Sequence, residues 1–158
     1  MRRFLVPSFL LFAALSLHAA PPSLELAGPS GKKTVTADEI AKLPRTKVTI
    51  DDHGKSATFE GVELSQLLAM VDAPAGEHLR GNALMHYVVI EASDGYRALF
   101  ALPELDAAFA TRKVILADAR DGKPLSEKEA PFRIAVEGEK KQARCVRMVT
   151  KIRLAAAE

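Results

Sequence analysis

The chain contains no tryptophan and a single cysteine, Cys145, in 158 residues, and aromatic side chains make up only 6% of it. One cysteine excludes an internal disulfide, so the fold must be held by packing and polar contacts. Charge of one sign is not in large excess either: 22 basic residues stand against 20 acidic ones. Several chemical signatures are missing from the sequence as well. It has no G-x-S-x-G nucleophile turn, no G-x-x-x-x-G-K phosphate loop and no H-x-x-x-H pair. Beyond residue 20 the histidines are His53, His78 and His86. Asp51, Asp52 and His53 are adjacent, but neighbours on a hairpin point to opposite faces, so the stretch reads as a solvated turn. No metal site and no catalytic residue is assigned.

What the sequence does have begins at its N-terminus. Arg2 and Arg3 precede an apolar run, Phe4 to Leu17, and His18-Ala19-Ala20 supplies small residues for cleavage. Residues 1–20 are therefore expected to be a signal peptide, and residues 21–158 a single domain in the periplasm or outside the cell. Without Arg2 and Arg3 the domain has 20 basic and 20 acidic residues. That balance argues against a nucleic-acid partner, and no membrane span is expected after the signal is removed. The charge is nevertheless uneven. From Arg112 to Arg153 there are 12 basic and 6 acidic residues, which suits a small anionic ligand or a protein partner.

Strand signals recur along the domain. Ser23 to Ala27 runs into the Gly28-Pro29-Ser30-Gly31 turn, and Lys47 to Asp51 pairs through Asp52-His53-Gly54-Lys55 with Ser56 to Gly61. Thr36-Ala37-Asp38-Glu39 is a capping box opening a short helix that stops before Pro44. Leu64, Leu67, Leu68 and Val71 form an i, i+3, i+4, i+7 stripe. Met85 to Ala92 is an apolar run expected to be a central strand, turned by Ser93-Asp94-Gly95 into Tyr96 to Leu102. Pro103 opens a further predicted helix with Leu105, Ala108 and Phe109 inward. Strands are expected at Lys113 to Ala117, Phe132 to Glu137 and Ala143 to Leu154. The predicted core includes Leu64, Leu67, Leu68, Val89, Phe100, Ile134, Val146 and Ile152. Strands joined mostly by hairpins, with short helices between, define an α+β fold with mixed, mostly antiparallel sheets.

The last predicted strand alternates. Val146, Met148, Thr150, Ile152 and Leu154 make an apolar face, while Arg147, Lys151 and Arg153 share the other with Cys145 and Val149. Arg133 is similarly expected to oppose the core face of its own strand. Such a cationic face is either an anion site, since arginine forks match phosphate, or an ordinary solvated surface. Cys145, beside Arg144 and Arg147, is either a thiolate activated by neighbouring cations or a small packing residue.

In order along the domain, the motifs are Phe59-Glu60-Gly61-Val62-Glu63-Leu64-Ser65-Gln66-Leu67-Leu68, Ala92-Ser93-Asp94-Gly95-Tyr96 and Leu102-Pro103-Glu104-Leu105. Next come Ile115-Leu116-Ala117, Asp121-Gly122-Lys123-Pro124-Leu125, Ala130-Pro131-Phe132-Arg133-Ile134-Ala135-Val136 and Ala143-Arg144-Cys145-Val146-Arg147-Met148, with Ile152. In this order and spacing the chain resembles the oxidoreductase molybdopterin-binding domain, the core of sulfite-oxidase-like enzymes, in a small exported form. The resemblance implies a barrel-like α+β sheet structure. It also implies molybdopterin as the cofactor, with a cysteine thiolate on molybdenum and basic residues holding the pterin phosphate. Arg133 matches the arginine of the family's P-x-R element, and Arg147 stands where its R-x-V-K-W element has lysine. Arg144 and Tyr96 lie beside these motifs, so Arg133, Arg147, Arg144 and Tyr96 are the candidate cofactor-binding residues.

The thiolate position falls at or next to Asp52, within Val48-Thr49-Ile50-Asp51-Asp52-His53-Gly54. A hard carboxylate is not equivalent to a soft thiolate for molybdenum. The sequence therefore predicts a binding or accessory module without molybdenum turnover. Its rival is an oxidoreductase whose metal is held by the pterin plus water or Asp52. Arg133 and Arg147 are expected to converge on one anion-sized surface, with Arg144 or Lys151 nearby. If they do not converge, each should pair with a local carboxylate such as Glu137.

Overall fold

The computed structural model describes residues 21–52 and 54–157, so the expected signal segment 1–20, His53 and the last residue lie outside them. The chain opens with the hairpin β1 (Ser23–Gly28) and β2 (Gly31–Thr36), followed by the one-turn helix α1 (Ala37–Ala41). Thr36 and Glu39 exchange both capping-box hydrogen bonds there, as the sequence predicts. A second hairpin follows, β3 (Thr46–Asp52) and β4 (Lys55–Glu63), which runs directly into α2 (Leu64–Ala69). Then come β5 (His86–Ala92), β6 (Arg97–Ala101), β7 (Val114–Arg120), the two-residue β8 (Lys123–Pro124), β9 (Arg133–Val136) and β10 (Val149–Ala156).

These strands form two sheets. One has the order β2-β1-β10-β5-β6, parallel only between β1 and β10. The other runs β3-β4-β7, with β8 and β9 both pairing β7. The fold is α+β and sheet-dominated, and one cluster of buried side chains draws on both sheets and on α2. Leu64, Leu67, Leu68 and Val71 are all buried, so the helical stripe faces the core. Gly61 sits at an irregularity in the β4–β7 ladder, where a Cβ would run into the Leu116 carbonyl. Only glycine lets the two strands approach there.

Four expectations need correction. Residues Gln142–Arg144 form a 3-10 turn, and β10 begins only at Val149. The expected alternation through Cys145 and Arg147 is therefore absent. Met148 has φ 52, outside any strand, and Cys145 and Val146 are buried in succession, which a two-residue period forbids. Val89 points outward while Val88 and Ile90 are buried, because a nearly continuous apolar run carries no phase. The helix after Pro103 is only a 3-10 turn, Leu102–Leu105. Asp106 ends it by accepting from the Ala108 amide at 2.8 Å and the Gly76 amide at 2.7 Å, leaving Ala108 and Phe109 exposed. Finally, all four residues of β9 are buried, so Arg133 has no solvent face.

Candidate functional site

The end of β3, the end of β7 and the start of β9 converge on a group of buried charges. Arg133 is only 1% exposed, Asp52 7% and Glu129 6%. Arg133 Nη2 donates to Asp52 Oδ1 at 2.8 Å and to Gln142 Oε1 at 3.1 Å, while its Nη1 donates to Glu129 Oε1. Arg120 Nη1 meets the other Asp52 oxygen, Oδ2, at 2.7 Å and Glu129 Oε1 at 3.4 Å. Ser126 Oγ donates to Glu129 Oε2 at 2.8 Å. Phe59 packs against both cations, its ring centroid 4.5 Å from Arg133 Cζ and 5.3 Å from Arg120 Cζ. Each guanidinium here meets carboxylates, the exposed Asp121 also lying 3.6 Å from Arg120 Nε, and such pairing is the condition under which charge can be buried. Burial alone would lower the Arg133 pKa, but Asp52 and Glu129 outweigh it and raise the value. Burial likewise disfavours ionised Glu129, yet Ser126, Arg133 and Arg120 hold its carboxyl below the usual glutamate value.

Beside this cluster lies an open cavity of about 290 Å³. Tyr96, Lys128, Gln142, Cys145 and Arg147 line it together with Asp94 and Met148. The Asp94-Gly95 turn positions Tyr96: Asp94 Oδ1 accepts from the Tyr96 amide at 2.9 Å, and the phenol donates to the Ala143 carbonyl at 2.7 Å. Among the described lining residues, Lys128 and Arg147 stand against one carboxylate, Asp94. Gln142 belongs to both regions, accepting from Arg133 and donating from Nε2 to the Asp51 carbonyl. Cys145 is buried, and burial pushes its thiol pKa up despite the pull of Arg133, so it is a packing residue rather than an activated thiolate.

The structure therefore divides the candidate residues. Tyr96 and Arg147 line one cavity. Arg133 does not reach it and does not share a surface with Arg147, contrary to the expected convergence. Its carboxylate partners are Asp52 and Glu129, not Glu137, which accepts from the Lys113 amide instead. Arg144 is held by Glu104 at 3.1 Å and Glu139 at 2.6 Å and lies over Phe100. Lys151 pairs with Glu25 at 3.0 Å on the outer face of the first sheet. Sequence reasoning missed Arg120, Glu129, Gln142 and Lys128. A signal for Glu129 existed: Ser126 and Arg133 flank it at i−3 and i+4, and an arginine inside the apolar run Phe132 to Val136 requires a buried counter-charge.

Comparison with known proteins now identifies the group. The oxidoreductase molybdopterin binding domain model matches residues 23–158, so the chain belongs to that family. Among solved structures it is similar to the sulfane dehydrogenase SoxCD from Paracoccus pantotrophus, at 19% identity and a TM-score of 0.61. The match covers 84% of this chain and 38% of that one, and it shows a common fold. No curated protein sequence matches significantly.

The family implies molybdopterin, but the donors present do not fit a thiolate-ligated molybdenum. Each oxygen of Asp52 is engaged by a guanidinium, and the chain's sole cysteine, Cys145, is buried with its thiol pKa raised by burial. Among the described residues no three His, Cys, Asp or Glu side chains are grouped as a metal site. Arg133 is likewise committed to protein acceptors rather than to an outside phosphate.

Proposed function

We infer that the chain is a binding or accessory member of its family, exported to the periplasm or beyond, without molybdenum turnover of its own. One observation carries this reading: Asp52, at or next to the position that the resemblance gives to the family's thiolate, is bound to Arg120 through one oxygen and to Arg133 through the other. A carboxylate so engaged is unavailable to a metal unless buried Arg133 and half-buried Arg120 lose a counter-charge. The cavity between Tyr96 and Arg147 is the binding site in this reading, and its positive lining suits a small anion or an acidic group of a partner protein.

Elemental analysis of protein purified from a host that makes molybdopterin tests the first statement. Molybdenum well below one atom per chain is expected, and stoichiometric metal would establish the rival, an oxidoreductase holding its metal through the pterin. Calorimetry with inorganic phosphate as probe tests the cavity. Arg147→Ala should weaken phosphate binding by about 1.5–3 kcal/mol, the worth of one charge-assisted contact. An unchanged affinity would remove Arg147 from the site. Intact-mass measurement of exported protein should show loss of the segment ending at Ala19 or Ala20. Among the described residues no helix is long and apolar enough to cross a membrane.

A further inference from the structure

Acidic and basic residues of the C-terminal third are sorted by direction. Glu129 is buried in the Arg133 cluster, while its neighbour Lys128 lines the Tyr96–Arg147 cavity. Further along, Glu137 accepts from the Lys113 amide, and Glu139 meets Arg144 at 2.6 Å and Arg112 at 3.7 Å. Lys140 and Lys141, which follow, are exposed and line a second open cavity of about 320 Å³. The carboxylates nearest in sequence to these lysines are thus engaged within the protein. Among the described residues, the lysines in ion pairs are Lys32, Lys47 and Lys151, so Lys128, Lys140 and Lys141 are in none.

The two cavities adjoin at Gln142, which lines both. Its side chain is fixed from two directions, accepting from Arg133 Nη2 at 3.1 Å and donating to the Asp51 carbonyl. The rest of this turn is held as well: the Tyr96 phenol bonds the Ala143 carbonyl, and Glu104 and Glu139 grip Arg144. Gln142 is therefore a preorganised ridge between two depressions. Among the described lining residues, Lys128 and Arg147 stand against Asp94 on one side of it, and Lys140 and Lys141 against Asp51 on the other. Each of those carboxylates already spends one oxygen on its own turn, Asp94 on the Tyr96 amide and Asp51 on the Gly54 amide at 2.6 Å.

We propose that the two cavities form one docking groove for an acidic segment of a partner protein, a stretch of chain that places carboxylates on both sides of the Gln142 ridge. The proposal rests on the reading of the Tyr96–Arg147 cavity as the binding site and extends that site to Lys140 and Lys141. A single phosphate-sized ion fills one depression and leaves the cations of the other unmet, whereas an extended acidic chain meets both sets. The cations line depressions and alternate with Asp51 and Asp94, which suits a narrow chain better than the flat face of a membrane.

Fluorescence anisotropy with a labelled hexaglutamate peptide tests the groove at about 50 mM and about 150 mM salt, since screening weakens attraction between exposed charges. Binding that falls as salt rises is expected. Lys140→Glu combined with Lys141→Glu should weaken it about tenfold or more, and Lys128→Glu about threefold or more, because like charges then face the probe. None of these changes removes an ion pair, so circular dichroism should show folded proteins. Lys33→Glu on β2, which lines neither cavity, should leave the affinity unchanged. No peptide binding at either salt, an affinity unmoved by reversing Lys140 and Lys141, an equal loss from Lys33→Glu, or binding to phosphatidylserine vesicles in place of the peptide would each overturn the proposal. Calorimetry with inorganic phosphate separates this failure from that of the underlying reading. Phosphate binding that needs Arg147, without peptide binding, removes the groove and leaves the cavity standing; binding of neither probe removes both.

Discussion

Arg133 and Asp52 lie 81 positions apart in the chain, yet Nη2 of the arginine donates to Oδ1 of the aspartate at 2.8 Å in the interior of the fold. This bond joins the last residue of β3 to the first residue of β9. The pair shares its charges with Arg120 and Glu129, so removing Arg133 leaves the buried Asp52 and Glu129 carboxylates short of a counter-charge.

Arg133→Ala should therefore cost about 3–5 kcal/mol of folding stability, the range for breaking a buried charge set by deleting one partner. Urea denaturation measures it. A loss of a few tenths, as for an exposed ion pair, would mean that these carboxylates are solvated after all.

Stability should also depend on Glu129 as pH falls. Its carboxyl is held below the usual glutamate value in the folded state. A depressed carboxylate pKa contributes stability that is present above the unfolded value, about 4.3, and is lost as pH drops through the folded one. Melting temperatures of the wild type and Glu129→Gln should accordingly differ at neutral pH and converge in acid. A constant gap across that window would assign the difference to packing rather than to charge.

Two glycines should fail on substitution for different reasons. Gly95 has φ 85 with open space around its missing Cβ, so Gly95→Val should cost about 1–2 kcal/mol from backbone conformation alone. Gly61 lies against the Leu116 carbonyl, so Gly61→Ala forces β4 and β7 apart and should be the more damaging change. Thermal melting of both variants checks the order, and equal, small losses would refute both assignments.

Leu67→Ala should destabilise the protein by about 2–5 kcal/mol, because the side chain is fully buried on the α2 face turned to the core. A small shift in chemical denaturation would mean that the surroundings collapse into the space.

Much of the architecture was legible before any coordinates. The Thr36–Glu39 capping box, the Leu64 to Val71 stripe and the Asp94-Gly95 turn each depend on residues within one helical turn of each other. Local hydrogen bonding and periodicity therefore determine them. The family could also be read from ordered motifs, since their spacing survives when single residues change. Less legible was the segment from Cys145 to Met148. Its apparent alternation imitates a strand, but the positive φ at Met148 and the bonds to β9 depend on neighbours distant in sequence.

By itself, then, the sequence determined the elements whose partners lie a few residues away and the absence of an internal disulfide. Only the tertiary structure decided that Asp52 pairs with Arg120 and Arg133, and that Arg133 is buried and Arg147 exposed. The reason is physical. A residue's period shows which face it occupies, but burial and charge pairing depend on which other strands come to lie beside it, and Arg120, Glu129 and Arg133 reach Asp52 only when β3, β7 and β9 converge.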